Sequence, residues 1–138
     1  MLHLTAGVMA LVVVDAQVLL ARTTYDPTVW RLPGGYLEAG ESPQSGLRRE
    51  IMEELGCEAD IRELAGIYYK SYEANLNLVF TARILGDPIP DGDELAEVSW
   101  HPVTSLPEAT SPRQRRVIEG WAPATAPKVW TFASEDDL

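Results

Sequence analysis

Three glutamates on one predicted helix are the residues of this sequence best suited to chemistry. Glu50, Glu53 and Glu54 fall within an arc of roughly 100° when ~100° per residue is applied to the predicted helix Pro43–Leu55. Clustered carboxylates are hard oxygen ligands of the kind that Mg²⁺ and Mn²⁺ prefer, and a substrate phosphate can complete the coordination shell. The helix therefore predicts a divalent-cation site.

The electrostatics of this helix favour the same interpretation. Glu50 and Glu54 are like charges four residues apart, which costs about 0.2–0.5 kcal/mol. Glu53, Glu54 and Glu58 crowd the C-terminal end of the helix, where the macrodipole favours cations by ~0.3–1 kcal/mol each. A bound cation would relieve these conflicts together. Taken alone, the glutamates would also fit a solvated helix face in an acidic protein. The sequence of the loop before the helix is therefore needed to distinguish a cation site from a solvated face.

The spacing around the helix resembles the signature of the Nudix hydrolase family. That signature runs Gly, five residues, Glu, seven residues, Arg-Glu, an aliphatic, any residue, Glu-Glu, any residue, Gly and an aliphatic. The positions of this sequence that match it are Gly35, Glu41, Arg49, Glu50, Ile51, Glu53, Glu54 and Gly56. The last position holds Cys57, a small hydrophobic residue in place of the usual aliphatic. The flanking segments Trp30–Gly35 and Gly40–Ser42 also resemble the family.

By this resemblance, Glu53 and Glu54 are the expected core metal ligands, and Glu50 is expected to bind directly or through water. The Gly35 carbonyl is a further expected ligand, because two successive glycines let the backbone approach a metal closely. Mg²⁺ is the expected cofactor, with Mn²⁺ as an alternative.

The resemblance also assigns supporting and catalytic roles. Arg49 is expected to pair with Glu41 and so hold the loop against the helix. Family members take the general base from the signature helix or from a later loop. The candidates in this sequence are therefore Glu53, Glu94 and Glu97, and the choice among them is left open.

The reaction implied by the resemblance is attack of water on a phosphorus of a diphosphate linkage. The substrate would be a nucleoside triphosphate or a nucleoside diphosphate linked to another group. One alternative is a nucleotide-sensing binding module of the same fold that does not turn its ligand over. A related isomerase of isoprenoid diphosphates is disfavoured, because it is longer and needs a catalytic cysteine, whereas Cys57 is predicted to be packed at the helix end.

Several basic and aromatic residues are candidate substrate contacts. Arg22 and Arg31 flank the approach loop and could contact phosphates, and Tyr72 lies near a position that resembles diadenosine polyphosphate hydrolases. Other aromatics could stack on a base, namely Tyr25, Tyr68, Tyr69 and Trp100. Aromatics in strands, however, more often belong to the core. The second predicted helix carries three arginines, Arg113, Arg115 and Arg116. We interpret them as charged residues that keep its outer face in contact with solvent.

The elements that must position these residues alternate between strand and helix patterns. Strands are predicted at 5–14, 18–22, 59–72, 76–85 and 94–101, and helices at 43–55 and 112–121. Ser42 and Ser111, each followed by proline, are the expected helix caps, and residues 23–41 are predicted as loop. This order indicates an α/β fold, and the resemblance implies a Nudix-like α/β/α sandwich with a mixed, partly antiparallel sheet. Residues 1–121 are predicted to form the Nudix domain, and residues 122–138 a tail that adds a strand or is partly disordered.

Composition limits the partners of this chain. Its 138 residues carry 21 acidic and 11 basic side chains, a net charge of −10, which argues against bare electrostatic binding of a nucleic acid polymer. The single cysteine allows no internal disulfide and favours a reducing compartment. The apolar start Gly7–Val14 is shorter than the ~20 residues of a membrane span. We therefore expect a cytoplasmic protein with a small nucleotide as partner, no membrane partner, and a possible homodimer.

Overall fold

Residues 3–138 are described by a computed structural model, and they form eight strands and two α-helices. In chain order the elements are β1 (Thr5–Leu11), β2 (Val13–Val14), β3 (Gln17–Thr23), β4 (Gly34–Tyr36), α1 (Pro43–Leu55), β5 (Glu58–Lys70), β6 (Asn75–Leu85), β7 (Leu95–Pro102), α2 (Pro112–Gly120) and β8 (Lys128–Phe132). A single 3₁₀ turn, Ser71–Glu73, joins β5 to β6. Neither α-helix of this part of the chain is long and apolar enough to cross a membrane.

The strands form two sheets. The larger sheet has the order β4-β1-β6-β5-β8, and the smaller has the order β2-β3-β7. In the larger sheet, β1 runs parallel to β6 and antiparallel to β4, while β5 runs antiparallel to β6 and parallel to β8. The predicted α/β fold with a mixed, partly antiparallel sheet is therefore confirmed.

Successive residues of β1 face opposite sides of the sheet, and each side is covered by one helix. Val8 and Ala10 belong to the core under α1, whereas Leu11 belongs to the core under α2. The helix residues in these cores are Leu47, Ile51 and Leu55 of α1 and Val117 and Ile118 of α2. Fully burying such side chains stabilises the fold by about 1.5–3 kcal/mol each. This packing fixes α1, and with it the glutamates, against the sheet.

Two segments differ from the sequence prediction. The single strand expected at 5–14 divides between the sheets, because β2 turns back onto β3 through Asp15 and Ala16, both at positive φ. The predicted loop 23–41 contains the short strand β4, which pairs with β1. A side chain at Gly34 would place its Cβ 2.0 Å from the Val8 carbonyl oxygen, so only glycine allows this pairing. Three residues that include two glycines give no strand pattern.

The ends of α1 follow its capping residues closely, whereas α2 lacks the expected side-chain cap. The Ser45 amide donates a 3.2 Å hydrogen bond to the Ser42 hydroxyl, and Gly56 ends α1 at a φ of 66°. The second helix begins at Pro112 as predicted, but within residues 3–138 the Ser111 side chain makes no capping hydrogen bond.

The C-terminal tail contributes β8, which pairs with Gly66–Lys70 of β5. The nature of residues 122–138 as a tail outside the Nudix domain stays a prediction. The division of the chain at residue 121 stays a prediction.

Candidate metal centre and substrate cleft

Three carboxylates from two parts of the chain meet at the C-terminal half of α1. One oxygen each of Glu50, Glu54 and Glu94 lies within 4.8 Å of the others. Glu50 and Glu54 are one helical turn apart and so share a face of α1. Glu94 is held beside them by its loop, because Asp91 donates its amide to the Glu54 carbonyl (2.9 Å) and accepts from the amides of Glu94 (3.2 Å) and Leu95 (2.9 Å).

The two helix carboxylates are buried, with Glu50 8% and Glu54 3% exposed. Burial, reinforced by the Glu50 carboxylate, raises the pKa of Glu54 to about 9. Burial also raises the pKa of Glu50, against the opposing effect of Arg49. The hydrogen bond that Glu54 accepts comes from the Gly34 amide, at 3.3 Å. Within residues 3–138, no basic side chain lies within 4 Å of a Glu54 oxygen. Buried carboxylate oxygens that lie this close together fit a hard divalent cation.

The Gly34–Gly35 backbone presses directly on these carboxylates. A Cβ at Gly35 would lie 2.5 Å from Cδ of Glu50 and 2.6 Å from one of its oxygens. The close approach explains why this signature position requires glycine. The role of the Gly35 carbonyl as a metal ligand stays a prediction.

Arg49 connects the loop to the helix, and the expected pair with Glu41 is present. Its Nε donates to one Glu41 oxygen at 2.6 Å and its Nη2 to the other at 2.9 Å, a bidentate geometry. It also donates to the Tyr36 carbonyl (3.2 Å) and to Glu50 (3.0 Å). The hydrogen bonds from Arg49 and from the Glu38 amide lower the pKa of Glu41 to about 2, so this ion pair persists across physiological pH.

Glu53 lies outside the acidic cluster. Its side chain is 55% exposed and accepts from Nη1 of Arg49 at 3.2 Å. The next residue along a helix is rotated by ~100°, which turns Glu53 toward solvent while Glu54 faces the sheet. Among residues 3–138, the three-carboxylate cluster contains Glu94 in its place. The metal-ligand and base roles of Glu53 stay predictions.

Arg22 and Glu97 are not brought to the cluster either. They are cross-strand partners in β3 and β7, where their side chains form an ion pair. The Arg22 guanidinium lies over the Trp30 ring at 4.7 Å. Because opposite charges on paired strands attract each other, these two groups satisfy one another, and their substrate and base roles stay predictions.

Tyr72 lies on a different element from those that carry the carboxylates. It lies on the 3₁₀ turn after β5, with the Arg113 guanidinium 5.6 Å from its ring centre. Its predicted role in substrate binding is untested.

A cleft borders the acidic cluster and consists of two adjoining cavities of about 430 and 170 Å³. Glu50, Glu54 and Glu94 line the larger one. The residues common to both cavities are Tyr25, Arg31, Leu32, Gly34, Gly35 and Tyr36. Arg31 is thus the predicted phosphate contact that does lie beside the cluster, where its Nη2 also donates to Asp26 at 3.1 Å.

The smaller cavity has a polar wall, of which the sequence analysis named Tyr68 as an aromatic that could stack on a base and missed the other residues. Its lining includes Tyr68, Lys70, Asn75, Asn77 and Gln114. A signal was present at the start of β6, where Asn75 and Asn77 lie on one face and alternate with the apolar Leu76 and Leu78. Both are almost completely buried, at 4% and 3% exposed. Buried amides in a strand require partners and so mark a polar site.

Comparison with known proteins gives a consistent result. The family model of the NUDIX domain matches residues 1–121. A Bacillus subtilis protein provisionally named 8-oxo-dGTP diphosphatase is 31% identical over 115 residues, covering 83% of this chain and 77% of that protein. The NAD-capped RNA hydrolase NudC of Pseudomonas aeruginosa is 33% identical over 117 residues, covering 83% of this chain. The chain spans only 41% of that relative and 53% of a MutT-like protein from Streptomyces ambofaciens.

The fold agrees with solved members of the same family. The crystal structure of a MutT Nudix hydrolase from Burkholderia pseudomallei is similar with a TM-score of 0.77 and 26% identity, over 85% of this chain and 97% of that one. Enzymes of this family act on phosphoanhydride bonds and generally need a divalent metal, which the acidic cluster fits. Because the family model covers most of its length, this chain belongs to the Nudix hydrolase family.

Proposed function

We propose that this chain hydrolyses the diphosphate linkage of a small nucleotide, with Mg²⁺ as its cation and Mn²⁺ as a functional substitute. The observation that carries the proposal is the convergence of three carboxylate oxygens within 4.8 Å beside the cleft. Glu50 and Glu54 are assigned as ligands because they are buried, close together and pressed against the Gly34–Gly35 backbone.

Different residues along the cleft have different proposed roles. Glu50 and Glu54 would hold the divalent cation, which would neutralise charge and polarise the phosphoryl oxygens. Arg31 lines both cavities and can neutralise a phosphate group of the bound substrate. Arg49 keeps the loop and α1 in fixed register, so that the substrate meets a prearranged site.

Glu94 is our candidate for the group that takes the proton of the attacking water. Of Glu53, Glu94 and Glu97, it is the one found among the described residues that line the cleft. It is also the exposed member of the cluster, so water can reach its carboxylate. As the water oxygen bonds to phosphorus and the bridging P–O bond breaks, this carboxylate is placed to accept the released proton.

The test is a phosphate-release screen with Mg²⁺ over nucleoside triphosphates, oxidised nucleotides, nucleotide sugars, ADP-ribose and dinucleoside polyphosphates. We expect turnover of at least one class and its loss in EDTA. Undiminished hydrolysis in EDTA would contradict the metal assignment. Tight binding without release of phosphate would favour the binding-module alternative.

A small nucleotide is the partner that we propose, in keeping with the net charge of −10. The NudC relative is named as acting on capped RNA, so the screen also includes short RNAs with a 5′-triphosphate or an NAD cap. Cleavage of these RNAs without cleavage of free nucleotides would reverse the proposal. Location in the cytoplasm and assembly into a homodimer stay predictions, and sedimentation of the purified protein tests the second.

A further inference from the structure

We propose that Arg113 and the tail segment Lys128–Glu135 position Gln114 and Tyr68 in the cleft wall, and thereby set which nucleotides the enzyme accepts. The inference rests on the proposed function and extends it to substrate selectivity. It gives the C-terminal tail, which lies outside the segment matched by the family model, a direct part in the site.

Gln114 joins three parts of the molecule at the wall of the smaller cavity. It is 6% exposed and projects from the first turn of α2. Its Oε1 accepts the Leu32 amide at 2.6 Å, and its Nε2 donates to the Tyr68 hydroxyl at 3.2 Å. Leu32 precedes the Gly34–Gly35 strand, so this one amide ties the approach loop, α2 and β5 together.

The same contacts leave hydrogen-bonding groups available to a ligand. Gln114 Nε2 has a second hydrogen, and the closest acceptor for the Tyr68 hydroxyl proton is the Met9 sulfur at 3.8 Å, a weak acceptor. Burial raises the pKa of Tyr68 to about 12, so this hydroxyl keeps its proton at neutral pH. Asn77 donates its amide hydrogens to Asn75 at 2.6 Å, which leaves its carbonyl oxygen as an acceptor.

This wall therefore presents two donors and an acceptor at fixed positions. All of these side chains line the same cavity, next to the part of the cleft that borders the carboxylates. The edge of a nucleobase offers the complementary pattern of donors and acceptors. A site that hydrogen-bonds a polar edge discriminates strongly against ligands that lack it, because its own buried groups are then left unpaired.

Arg113, the residue before this glutamine, is held by the tail. Its Nη2 donates to the carbonyl oxygens of Ser134 (3.3 Å) and Glu135 (3.0 Å). Its guanidinium lies over the rings of Phe132 and Tyr72, at 5.4 and 5.6 Å from their centres. Charge-assisted hydrogen bonds and cation–π contacts on the same group fix the start of α2 against the tail.

The tail also fixes the strand that carries the tyrosine. In the parallel pair β5–β8, Trp130 is the partner of Tyr68, and Phe132 is the partner of Lys70. Phe132 is buried and belongs to the core under α2. The two partners of the Gln114–Tyr68 hydrogen bond are thus each attached to the tail, one through Arg113 and one through the β-ladder.

A purely stabilising tail would give a different kinetic result. If β8 only covered the sheet edge, loosening it would lower the activity toward all substrates by one common factor. If the tail positions the cleft wall, loosening it raises KM selectively for the substrates that the wall recognises. The ratio of kcat/KM between substrates therefore separates the two roles.

The experiment compares Arg113→Met and Gln114→Ala with the wild type over ATP, GTP, CTP, UTP, 8-oxo-dGTP and ADP-ribose. Methionine keeps an apolar stem over Phe132 but cannot donate to the tail carbonyls. We expect KM for the preferred substrate to rise about tenfold in both variants with kcat within about twofold, and the preference over the next substrate to fall about tenfold. Arg116→Ala is the matched control, since Arg116 bonds to the Leu138 carbonyl instead.

Two further measurements keep the result decisive. Arg113→Lys retains the charge and a donor, and should restore part of the selectivity. The double variant Arg113→Met/Gln114→Ala should be no less selective than Gln114→Ala alone, because both changes disturb one hydrogen bond. Equal losses toward every substrate, or a wild-type profile in Arg113→Met, would overturn the inference.

Binding measurements test the inference if the wild type cleaves none of these compounds. The proposed function would then fail, and calorimetric Kd values for ADP, GDP, CDP and UDP with Mg²⁺ would judge the inference separately. A base preference that weakens about tenfold in Arg113→Met but not in Arg116→Ala supports it. Equal Kd values for wild type and Arg113→Met, or no binding at all, overturn it.

Discussion

The two ends of the cleft are built in different ways. At the acidic end, two of the three carboxylates lie one turn apart on a single helix, and the glycines that press on them lie within 20 residues along the chain. At the polar end, the wall is assembled from β5, β6 and α2, with the tail behind it. The two proposed metal ligands on α1 and the glycines beside them thus come from one short, contiguous piece of chain, whereas Glu94 and the polar wall reach the cleft only through the tertiary fold. Substitutions at the two ends should therefore have different kinetic effects.

The largest expected effect comes from breaking the acidic end. Glu54→Gln removes one buried charge at nearly constant shape, and we expect kcat to fall about a thousandfold, in the range of other lost electrostatic contacts to a transition state. We expect the metal-free variant to unfold at the same temperature as the metal-free wild type or higher, because burial raises the pKa of Glu54 and disfavours its charged form. Thermal unfolding and steady-state kinetics test both points.

Glu58→Gln is the matched control for this substitution. Glu58 is an exposed glutamate just beyond the same helix and should keep wild-type activity. Near-normal turnover in Glu54→Gln would contradict the assignment of Glu54 as a metal ligand.

The next effect sharpens the comparison through pH. Burial raises the pKa of Tyr68 from 10 to about 12, so the folded protein holds this proton more tightly than the unfolded chain does. The resulting stabilisation is fully present below pH 10 and is lost as the pH rises toward 12. It amounts to about 2–3 kcal/mol over that window. Urea unfolding at pH 9, 10 and 11 should show that the free energy of unfolding falls more steeply with pH in the wild type than in Tyr68→Phe. The same pH dependence in both proteins would contradict the burial of this hydroxyl.

A smaller effect tests how the loop is held at the acidic end. Arg49→Lys replaces a bidentate guanidinium with a single ammonium, which cannot contact both Glu41 oxygens and the Tyr36 carbonyl at once. We expect kcat to fall about tenfold with a lower unfolding temperature, because the loop loses its register on α1. Arg48→Lys, at the exposed neighbouring position, should have no effect. Equal activities of the two variants would mean that Arg49 does not position the site.

The smallest effect concerns the polar end. Tyr68→Phe removes one hydroxyl from the cleft wall, and we expect KM for the preferred nucleotide to rise about fivefold with unchanged kcat, as for a lost ground-state hydrogen bond. Tyr69→Phe is the control, because alternate residues of β5 face opposite sides of the sheet. A fall in kcat instead of a rise in KM would place Tyr68 in the chemistry and remove the distinction between the two ends.

The acidic end was the more predictable of the two from sequence. Helix periodicity places Glu50 and Glu54 on one face, and the pair of Arg49 with Glu41, which the family resemblance implied, is present. Glu94 was one of three open candidates, since its approach depends on the hydrogen bonds of the Asp91 turn.

The polar end could not be predicted in the same way. The partners of Gln114 lie 82 and 46 residues away, and no local pattern encodes contacts of that separation. For the same reason the pairing of Arg22 with Glu97 was not foreseen, because it depends on the register between β3 and β7.

The position of β8 has a consequence for how this protein can be shortened. A chain cut after residue 121, where the family model ends, would leave one side of β5 along Gly66–Lys70 without its backbone partner. Such an unpaired edge is a template for strands from other molecules. We therefore expect the shortened protein to self-associate in a concentration-dependent way, so that the boundary defined by sequence similarity is not the boundary of a well-behaved folding unit.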